Sequence, residues 1–227
     1  MRHFLRYILA TALVVLGLSA CKLEDTYYVQ GVQDMVTATT ATILTSDYGA
    51  QYTVTDDQTD KLWSQGKRYL IGFDIMNRAY DIKLKSYQES TLATPVAATW
   101  EDRTPGSPVL VEGHSISGGY LNLMVSYYVP KNEESPIKVV LEYKDNPNQA
   151  RLNFFLGLEG EAQIPTKEDD EAMKMVTVLY SFQLAELLPS GQYRHLYLTL
   201  DRLVQDKDGK FSQEVYTYPL YDEDITF

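Results

Sequence analysis

Apolar and polar residues alternate through most of this chain, a period that suits β-strands and not helices. Residues 80–87, for example, have the order Tyr-Asp-Ile-Lys-Leu-Lys-Ser-Tyr. Successive side chains of a strand point to opposite faces, so this order predicts strands with one buried and one solvated face. We therefore predict an all-β protein. Its strands are expected at residues 34–44, 51–55, 68–75, 80–87, 119–129, 137–143, 150–158, 175–184, 193–200 and 213–218.

Prolines interrupt this strand pattern in the middle of the chain. They are Pro95, Pro105 and Pro108, and they lie among Thr, Ala, Gly and Ser residues. Proline cannot donate a hydrogen bond to a strand ladder, so we interpret residues 90–108 as a linker between domains at 34–89 and 109–227. The alternative is a long loop inside one domain, which is less common. The spacing of the strands in the second domain, with polar turns between them, predicts a β-sandwich.

The N-terminus resembles a bacterial lipoprotein signal peptide. Two arginines precede a short apolar stretch, residues 8–16, which is too short to span a bilayer. The small residues before the single cysteine form a lipobox, which consists of Leu18, Ser19, Ala20 and Cys21. We predict a signal peptide at 1–20, lipid on Cys21 and a tether at 21–33. The alternative is a plain secretory signal followed by an unrelated cysteine.

The chain is acidic, with a formal net charge of -11. Nucleic acids are held mainly by Lys and Arg contacts to phosphate, so a nucleic-acid partner is not expected. The same charge argues against electrostatic adhesion to anionic lipid. We attribute the charge to solubility and expect the membrane to be reached through the N-terminal lipid.

Two stretches resemble catalytic or metal-binding motifs without completing them. Residues 113–117, Gly-His-Ser-Ile-Ser, resemble a nucleophile elbow, but Ser117 replaces the final glycine and no helix pattern follows. We predict a turn between strands there. Residues 206–209, Asp-Lys-Asp-Gly, resemble part of a calcium loop, but Asp208 and Gly209 between two alternating segments predict a β-hairpin instead.

The spacing of the remaining polar residues indicates no metal or catalytic site. We interpret the acidic residues 168–171 as a solvated loop, with calcium binding as the alternative. After the signal peptide the chain has two histidines, His114 and His195, which are far apart in sequence. The single cysteine is assigned to lipid. We therefore predict no cofactor, no metal and no enzymatic activity.

The order of these segments resembles the NigD-like lipoproteins of the Bacteroidetes. The matching segments are the lipobox at 18–21 and residues 41–44, 66–73, 120–125 and 180–188. The resemblance implies a small OB-type β-barrel at 34–89 followed by the β-sandwich, in an outer-membrane lipoprotein. The family has no established activity, so it implies no catalytic residue. Lys22, Glu24 and Asp25 match a signal for surface display only in part, which leaves display at the cell surface open.

Two classes of function fit these features. The first is a non-catalytic binding or accessory protein that holds another envelope protein or a glycan, since OB-type barrels bind oligosaccharides on one face. Candidate stacking residues are Tyr52, Trp63, Tyr69 and Tyr87, although for each of them we prefer a place in the core or on plain β surface. The second is a hydrolase of envelope polymers that uses a carboxylate pair such as Asp74 and Asp81. We prefer to interpret that pair as two solvated strand charges.

Overall fold

The computed structural model describes residues 27–60, 63–133, 137–165, 171–188 and 193–222. These residues form thirteen strands and one short 3₁₀ turn, Pro147–Gln149, so the predicted all-β class is confirmed. The strands are β1 (Val29–Ala38), β2 (Ile43–Ser46), β3 (Gln51–Asp57), β4 (Arg68–Ile75), β5 (Asp81–Ala93), β6 (Val96–Ala97), β7 (Leu110–Ser117), β8 (Tyr120–Pro130), β9 (Lys138–Asn146), β10 (Arg151–Glu159), β11 (Met173–Gln183), β12 (His195–Gln205) and β13 (Phe211–Asp222). In this described part of the chain, no helix has the length and apolar character needed to cross a membrane.

The first five strands close into a small barrel. β1 pairs with β2 on one side and with β4 on the other, while β2 continues to β3 and β4 to β5. A parallel pairing of β3 with β5 completes the circle. A closed barrel of five strands is the architecture of the OB fold, so the predicted OB-like barrel is confirmed.

Alternate side chains fill this barrel. On β4, Tyr69, Ile71 and Phe73 are fully buried in its interior, and the residues between them point outward. The barrel core consists of Val36, Ala38, Leu44, Tyr52, Trp63, Tyr69, Ile71, Phe73, Ile75, Ile82 and Leu84. Burial of each large apolar side chain contributes about 1.5–3 kcal/mol, so these alternating positions define which face of each strand points inward.

The single strand predicted at 34–44 is wrong, because the structure divides it into β1 and β2. The hydroxyl of Thr40 accepts hydrogen bonds from the N–H groups of Thr42 and Ile43, at 3.3 and 3.0 Å. The N–H of Thr39 donates to the Ile43 carbonyl and closes the turn. Threonine hydroxyls compete with strand pairing in this way, although the β-branched composition alone favours a strand.

The remaining strands form a sandwich of two sheets. β11, β8 and β7 are antiparallel neighbours and continue the sheet that begins in the barrel. The second sheet has the order β13-β12-β10-β9-β6. Alternate residues of β8 point between the sheets, namely Leu121, Leu123, Val125, Tyr127 and Val129. They pack with buried residues of β9, β10 and β12 in one core, as predicted for a β-sandwich.

β5 connects the barrel to the sandwich without a break. Its first part pairs with β4, and its last residues, 91–93, pair in parallel with residues 180–182 of β11. A single strand therefore belongs to both units, and the short β6 that follows it pairs with β9 at the edge of the second sheet.

In the segment predicted as a linker, 90–108, residues 90–93 are the end of β5, and the part that follows packs along the second sheet. The ring of Trp100 lies 4.8 Å from the ring of Phe155, and its indole N–H donates to Glu142 at 2.9 Å. The guanidinium of Arg103 pairs with the buried carboxylate of Asp201 on β12. The division of the chain into domains stays a prediction, and the segment itself is folded onto the sandwich.

Two predicted turns have different outcomes. The turn predicted at 113–117 is wrong, because these residues belong to the edge strand β7. An irregularity between Val111 and Gly113 shifts the pairing of β7 with β8, and the glycine obscured the strand pattern. The hairpin predicted at Asp208 and Gly209 is confirmed, since it joins β12 to β13 and Gly209 has a φ of 79°, which glycine adopts without strain.

Candidate functional site

A buried ion pair lies where the barrel meets the sandwich. Arg68, at the start of β4, donates two hydrogen bonds of 2.7 Å to the carboxylate of Asp47, which follows β2. The exposed fractions of the two side chains are 2% and 3%. Two parallel hydrogen bonds are a strong arrangement for arginine and a carboxylate, because they add geometric restraint to charge attraction. The pair is therefore held in one geometry.

Side chains of the sandwich enclose this ion pair. Asn122 on β8 accepts a hydrogen bond from Arg68 at 3.2 Å, and Ser117 on β7 donates to Asp47 at 2.6 Å. The guanidinium carbon lies 3.8 Å from the ring centroid of Tyr120. The two charged side chains belong to the barrel, and residues of the sandwich supply their remaining hydrogen bonds and the ring contact.

Further hydrogen bonds extend along the same junction. The hydroxyl of Ser181 on β11 donates to Asn122 at 2.7 Å and lies 2.8 Å from the hydroxyl of Ser90 on β5. We call this set the junction network; its members are Thr37, Asp47, Arg68, Ser90, Ser115, Ser117, Tyr120, Asn122 and Ser181. Buried charges are tolerated when they are paired and hydrogen-bonded, which requires both units in place. The network therefore fixes the orientation of the barrel on the sandwich.

A cleft of about 390 Å³ lies beside the junction network. Its floor is apolar and consists of Met35, Leu70, Met124 and Leu179. Its polar lining includes Gln33, Glu112, His114, Ser115 and the buried Asn122. Of the described residues that line it, Glu112 is the one carboxylate and none is a lysine or arginine. A concave surface with an apolar floor and a few polar groups is typical of ligand-binding sites.

The floor residues come from strand faces that the alternation assigns to solvent. On β8 the core residue Leu123 precedes Met124, which therefore points away from the sandwich core, and Leu179 on β11 is its direct partner. Met35 on β1 and Leu70 on β4 are likewise opposite each other. Two outward apolar pairs, one from each unit, meet in the cleft. Methionine side chains adapt their shape to irregular partners.

His114 and Ser115 do not form a catalytic pair, because neighbouring residues of a strand point to opposite faces. Ser115 accepts a hydrogen bond from the Asn122 amide at 3.2 Å, whereas the His114 ring lies 5.4 Å from the ring of Tyr218. Burial lowers the pKa of His114 and raises the pKa of Tyr218. This geometry gives Ser115 no general base from His114.

The carboxylates considered for hydrolysis have structural partners. Asp74 is almost fully buried, and its donors are Lys85, Tyr28 and the N–H of Gly31, at 2.7, 2.8 and 2.9 Å. Asp81 accepts a hydrogen bond of 2.7 Å from the side-chain amide of Asn77 in the β4–β5 turn. Asp74 thus holds residues 28–31, which we call the N-terminal arm, on the barrel, and Asp81 stabilises a turn. Both contacts favour a structural role.

The contacts of Asp74 predict a pH dependence for the stability of the fold. The hydrogen bond from Lys85, followed by that from Gly31, lowers the pKa of Asp74 to about 2. The pKa of an unfolded aspartate is about 3.9, so the ionised form stabilises the fold above that pH and the contribution is lost as the pH falls toward 2. We expect the urea midpoint of the Asp74→Asn variant to fall less over this window than that of the wild type. Equal falls would contradict the assignment.

Three of the four candidate stacking residues lie in the barrel core, which agrees with the preferred interpretation and not with stacking. Tyr52, Trp63 and Tyr69 are buried, and the rings of Trp63 and Tyr69 are 4.7 Å apart in an edge-to-face contact. They pack against other core residues instead of offering a ring face to a ligand. Tyr87 is exposed, 5.8 Å from the ring of Trp63, and stacking there stays a hypothesis.

Other predicted sites lie outside the described residues. These are the lipobox residues Leu18, Ser19, Ala20 and Cys21, and residues 168–170 of the acidic segment. Within the ranges that the structure describes, no group of three or more His, Cys, Asp or Glu side chains is placed to hold a metal ion. Lipid on Cys21 and the solvated or calcium-binding nature of 168–171 stay predictions.

Several solved structures share this fold. A protein of unknown function, DUF1344, from Bacteroides vulgatus ATCC 8482 has a TM-score of 0.57 at 16% identity, over 87% of this chain and 94% of its own. A NigD-like immunity protein from Bacteroides caccae ATCC 43185 has a TM-score of 0.50 at 18% identity, over 86% and 99%. A proposed lipoprotein from Bacteroides fragilis NCTC 9343 has a TM-score of 0.51 at 12% identity, over 85% and 99%.

No family model and no curated protein sequence matches the chain. The identities to the solved structures are low, so the likeness is one of fold. At that level it confirms the predicted resemblance to NigD-like proteins.

Proposed function

We propose that this chain is an outer-membrane lipoprotein that binds a partner without chemical conversion, and that the cleft between barrel and sandwich is its binding site. The lipobox at 18–21 supports the anchoring. The shared fold with a proposed lipoprotein and with a NigD-like immunity protein is consistent with it. The partner is a protein or a glycan of the envelope.

The observation that carries this proposal is the composition of the cleft. Leu70 and Met124 lie on strand faces that would be polar if they faced only water, yet they form a concave apolar floor. The junction network holds the two walls in one orientation, so little ordering is required when a partner binds. Preformed sites bind more tightly for the same contact area, because the entropic cost of ordering is already met.

The chemistry of the same cleft supports binding over catalysis. Ser115 is engaged by Asn122, the His114 ring faces Tyr218, and Glu112 lies at the exposed rim. Nucleophilic catalysis requires an activated nucleophile with a base in reach. A carboxylate mechanism requires two carboxyl groups about 5–10 Å apart around one substrate. The described lining of the cleft offers one carboxylate.

We expect the Leu70→Asp variant to lose capture of the partner, because an ionised carboxylate would stand on the apolar floor. The full-length protein, immobilised in detergent, is exposed to an envelope protein extract and to an envelope polysaccharide fraction. Val215→Asp is the matched control, since Val215 is 61% exposed on the edge strand β13. Melting temperatures of both variants establish that they are folded.

Two results would contradict the proposal. One is equal retention of the same component by the wild type, Leu70→Asp and Val215→Asp, which would place binding elsewhere. The other is turnover of an ester, peptide or glycoside substrate that a single Asp or Glu substitution abolishes with the melting temperature unchanged.

A further inference from the structure

A cluster of exposed aromatic and apolar side chains lies at one end of the barrel. We call it the base patch; it consists of Tyr27, Tyr28, Val29, Met76 and Tyr80, whose exposed fractions are 39, 45, 38, 42 and 41%. A group of large apolar residues that is this exposed usually marks a contact surface.

Strand pairing brings these residues together. Val29 on β1 is the partner of Ile75 on β4, so Met76 comes directly after that pair. The N–H of Met76 donates to the carbonyl of Asp81 at 2.7 Å and closes the turn in which Tyr80 lies. The ring of Tyr80 is 6.0 Å from that of Tyr52 in the barrel core, so the base patch adjoins this part of the core.

The base patch lies at the end of the barrel that is remote from the sandwich. β5 begins at the base, at Asp81, and first pairs with β11 at Thr91. Ten residues of strand at about 3.3 Å each correspond to roughly 33 Å. The junction network and the cleft lie at the other end of β5, next to the sandwich, because Arg68 pairs with Ser90 in the β4–β5 ladder.

The predicted tether ends at the same place. Tyr27 is six residues after Cys21, and six residues span at most about 22 Å when fully extended. The arm that follows is fixed to the barrel, since Asp74 accepts hydrogen bonds from the hydroxyl of Tyr28 and the N–H of Gly31. Lipid on Cys21 would therefore hold the base, and not the sandwich, close to the bilayer.

We propose that the base patch rests on the lipid bilayer, with its tyrosine rings at the level of the headgroups and with Val29 and Met76 toward the acyl chains. The inference rests on the lipid anchor proposed above. Tyrosine prefers this interface because its ring is apolar and its hydroxyl is polar. Lys83 and Lys85, which flank the base, are paired with Asp56 and Asp74, so these two lysine charges are compensated. The sandwich and the cleft then project away from the membrane.

The contact is apolar and does not need anionic lipid. A chain with a net charge of -11 is repelled by an anionic surface, so we expect the base patch to contact zwitterionic lipid at least as well as anionic lipid. The three tyrosines, Val29 and Met76 supply hydrophobic contact that is insensitive to salt.

The test uses the full-length lipidated protein reconstituted in vesicles of phosphatidylcholine and phosphatidylethanolamine. Cys21 carries the lipid, so a cysteine introduced by Met76→Cys is the one free thiol for an environment-sensitive fluorophore. Val215→Cys on β13 is the matched exposed control. With nitroxide-labelled lipids in the bilayer, we expect the fluorophore at position 76 to be quenched several-fold more than that at position 215.

Flotation of the vesicles on a density gradient tests the lipid anchor separately from the contact between the base patch and the bilayer. Protein that does not float has no lipid anchor, which overturns the anchoring and with it the inference. Protein that floats but shows equal quenching at positions 76 and 215 overturns the inference alone and leaves the anchor intact. A further substitution, Tyr80→Ser, is expected to reduce quenching at position 76 in protein that still floats, and no reduction would show that the patch does not hold the base on the lipid.

Discussion

Substitution of Asp47 by alanine is expected to lower the free energy of unfolding by about 3–5 kcal/mol, because it leaves Arg68 charged and buried without its carboxylate. Arg68 would keep the hydrogen bond to Asn122 and the ring of Tyr120, which are neutral groups and do not replace a counter-charge. Ser117 would lose its acceptor as well. For a chain of this size, the melting temperature should fall on the order of 10 °C.

The control is an exposed ion pair on the surface. Lys138 and Glu159 are 2.9 Å apart, with side chains that are 64% and 57% exposed, so Lys138→Ala should cost less than about 1 kcal/mol. Urea denaturation of the two variants provides the comparison. A double variant, Asp47→Leu with Arg68→Met, should recover much of the loss because it removes both charges. If Asp47→Ala costs no more than Lys138→Ala, the junction network does not join the two units.

The strands could be predicted from the sequence because the information for them is local. Alternation in residues 68–75 and 119–129 identified β4 and β8 to within one residue, since the period of two is itself the geometry of a strand. The fold class follows from many such segments. The closure of the barrel could not be predicted from these local segments, because the parallel pairing of β3 with β5 joins strands that are far apart in the sequence. The resemblance to a family supplied that part.

The candidate site could not be predicted from the same pattern. Alternation places Tyr69 inside the barrel and therefore assigns its neighbour Arg68 to solvent, and an arginine there looks ordinary. A second unit covers that face, and its contribution, Asn122, is 54 residues away in sequence. Part of the cleft could have been found from the sequence. Leu70 and Met124 are apolar residues on predicted outward faces, and such residues indicate a covered surface or a binding surface.

The errors have the same origin. Thr40 closes a turn with its side chain inside a segment whose composition favours a strand. Gly113 lies beside an irregularity within β7, and a glycine at that position also suits a turn. Tyr52, Trp63 and Tyr69 suit either a ligand-stacking surface or a core, and the small barrel needs these aromatic rings to fill its interior. In each case a tertiary contact decides what the local composition leaves open.

The proposed function and the proposed orientation at the bilayer both depend on lipid at Cys21. Acyl chains contribute about 0.8 kcal/mol per buried CH₂ group, and stable anchoring takes more than one chain. We therefore expect Cys21→Ser to transfer the protein from the membrane fraction to the soluble fraction, while Lys22→Ala, the matched substitution at the next residue, leaves it on the membrane.

Palmitate labelling combined with membrane fractionation of these two variants and the wild type is the most direct measurement. Label on the wild type and on Lys22→Ala, with no label on Cys21→Ser and that variant soluble, is the predicted result. A Cys21→Ser protein that still sediments with membranes and still carries palmitate would contradict lipidation at Cys21, and with it the proposed anchoring of this protein to the cell envelope through that residue.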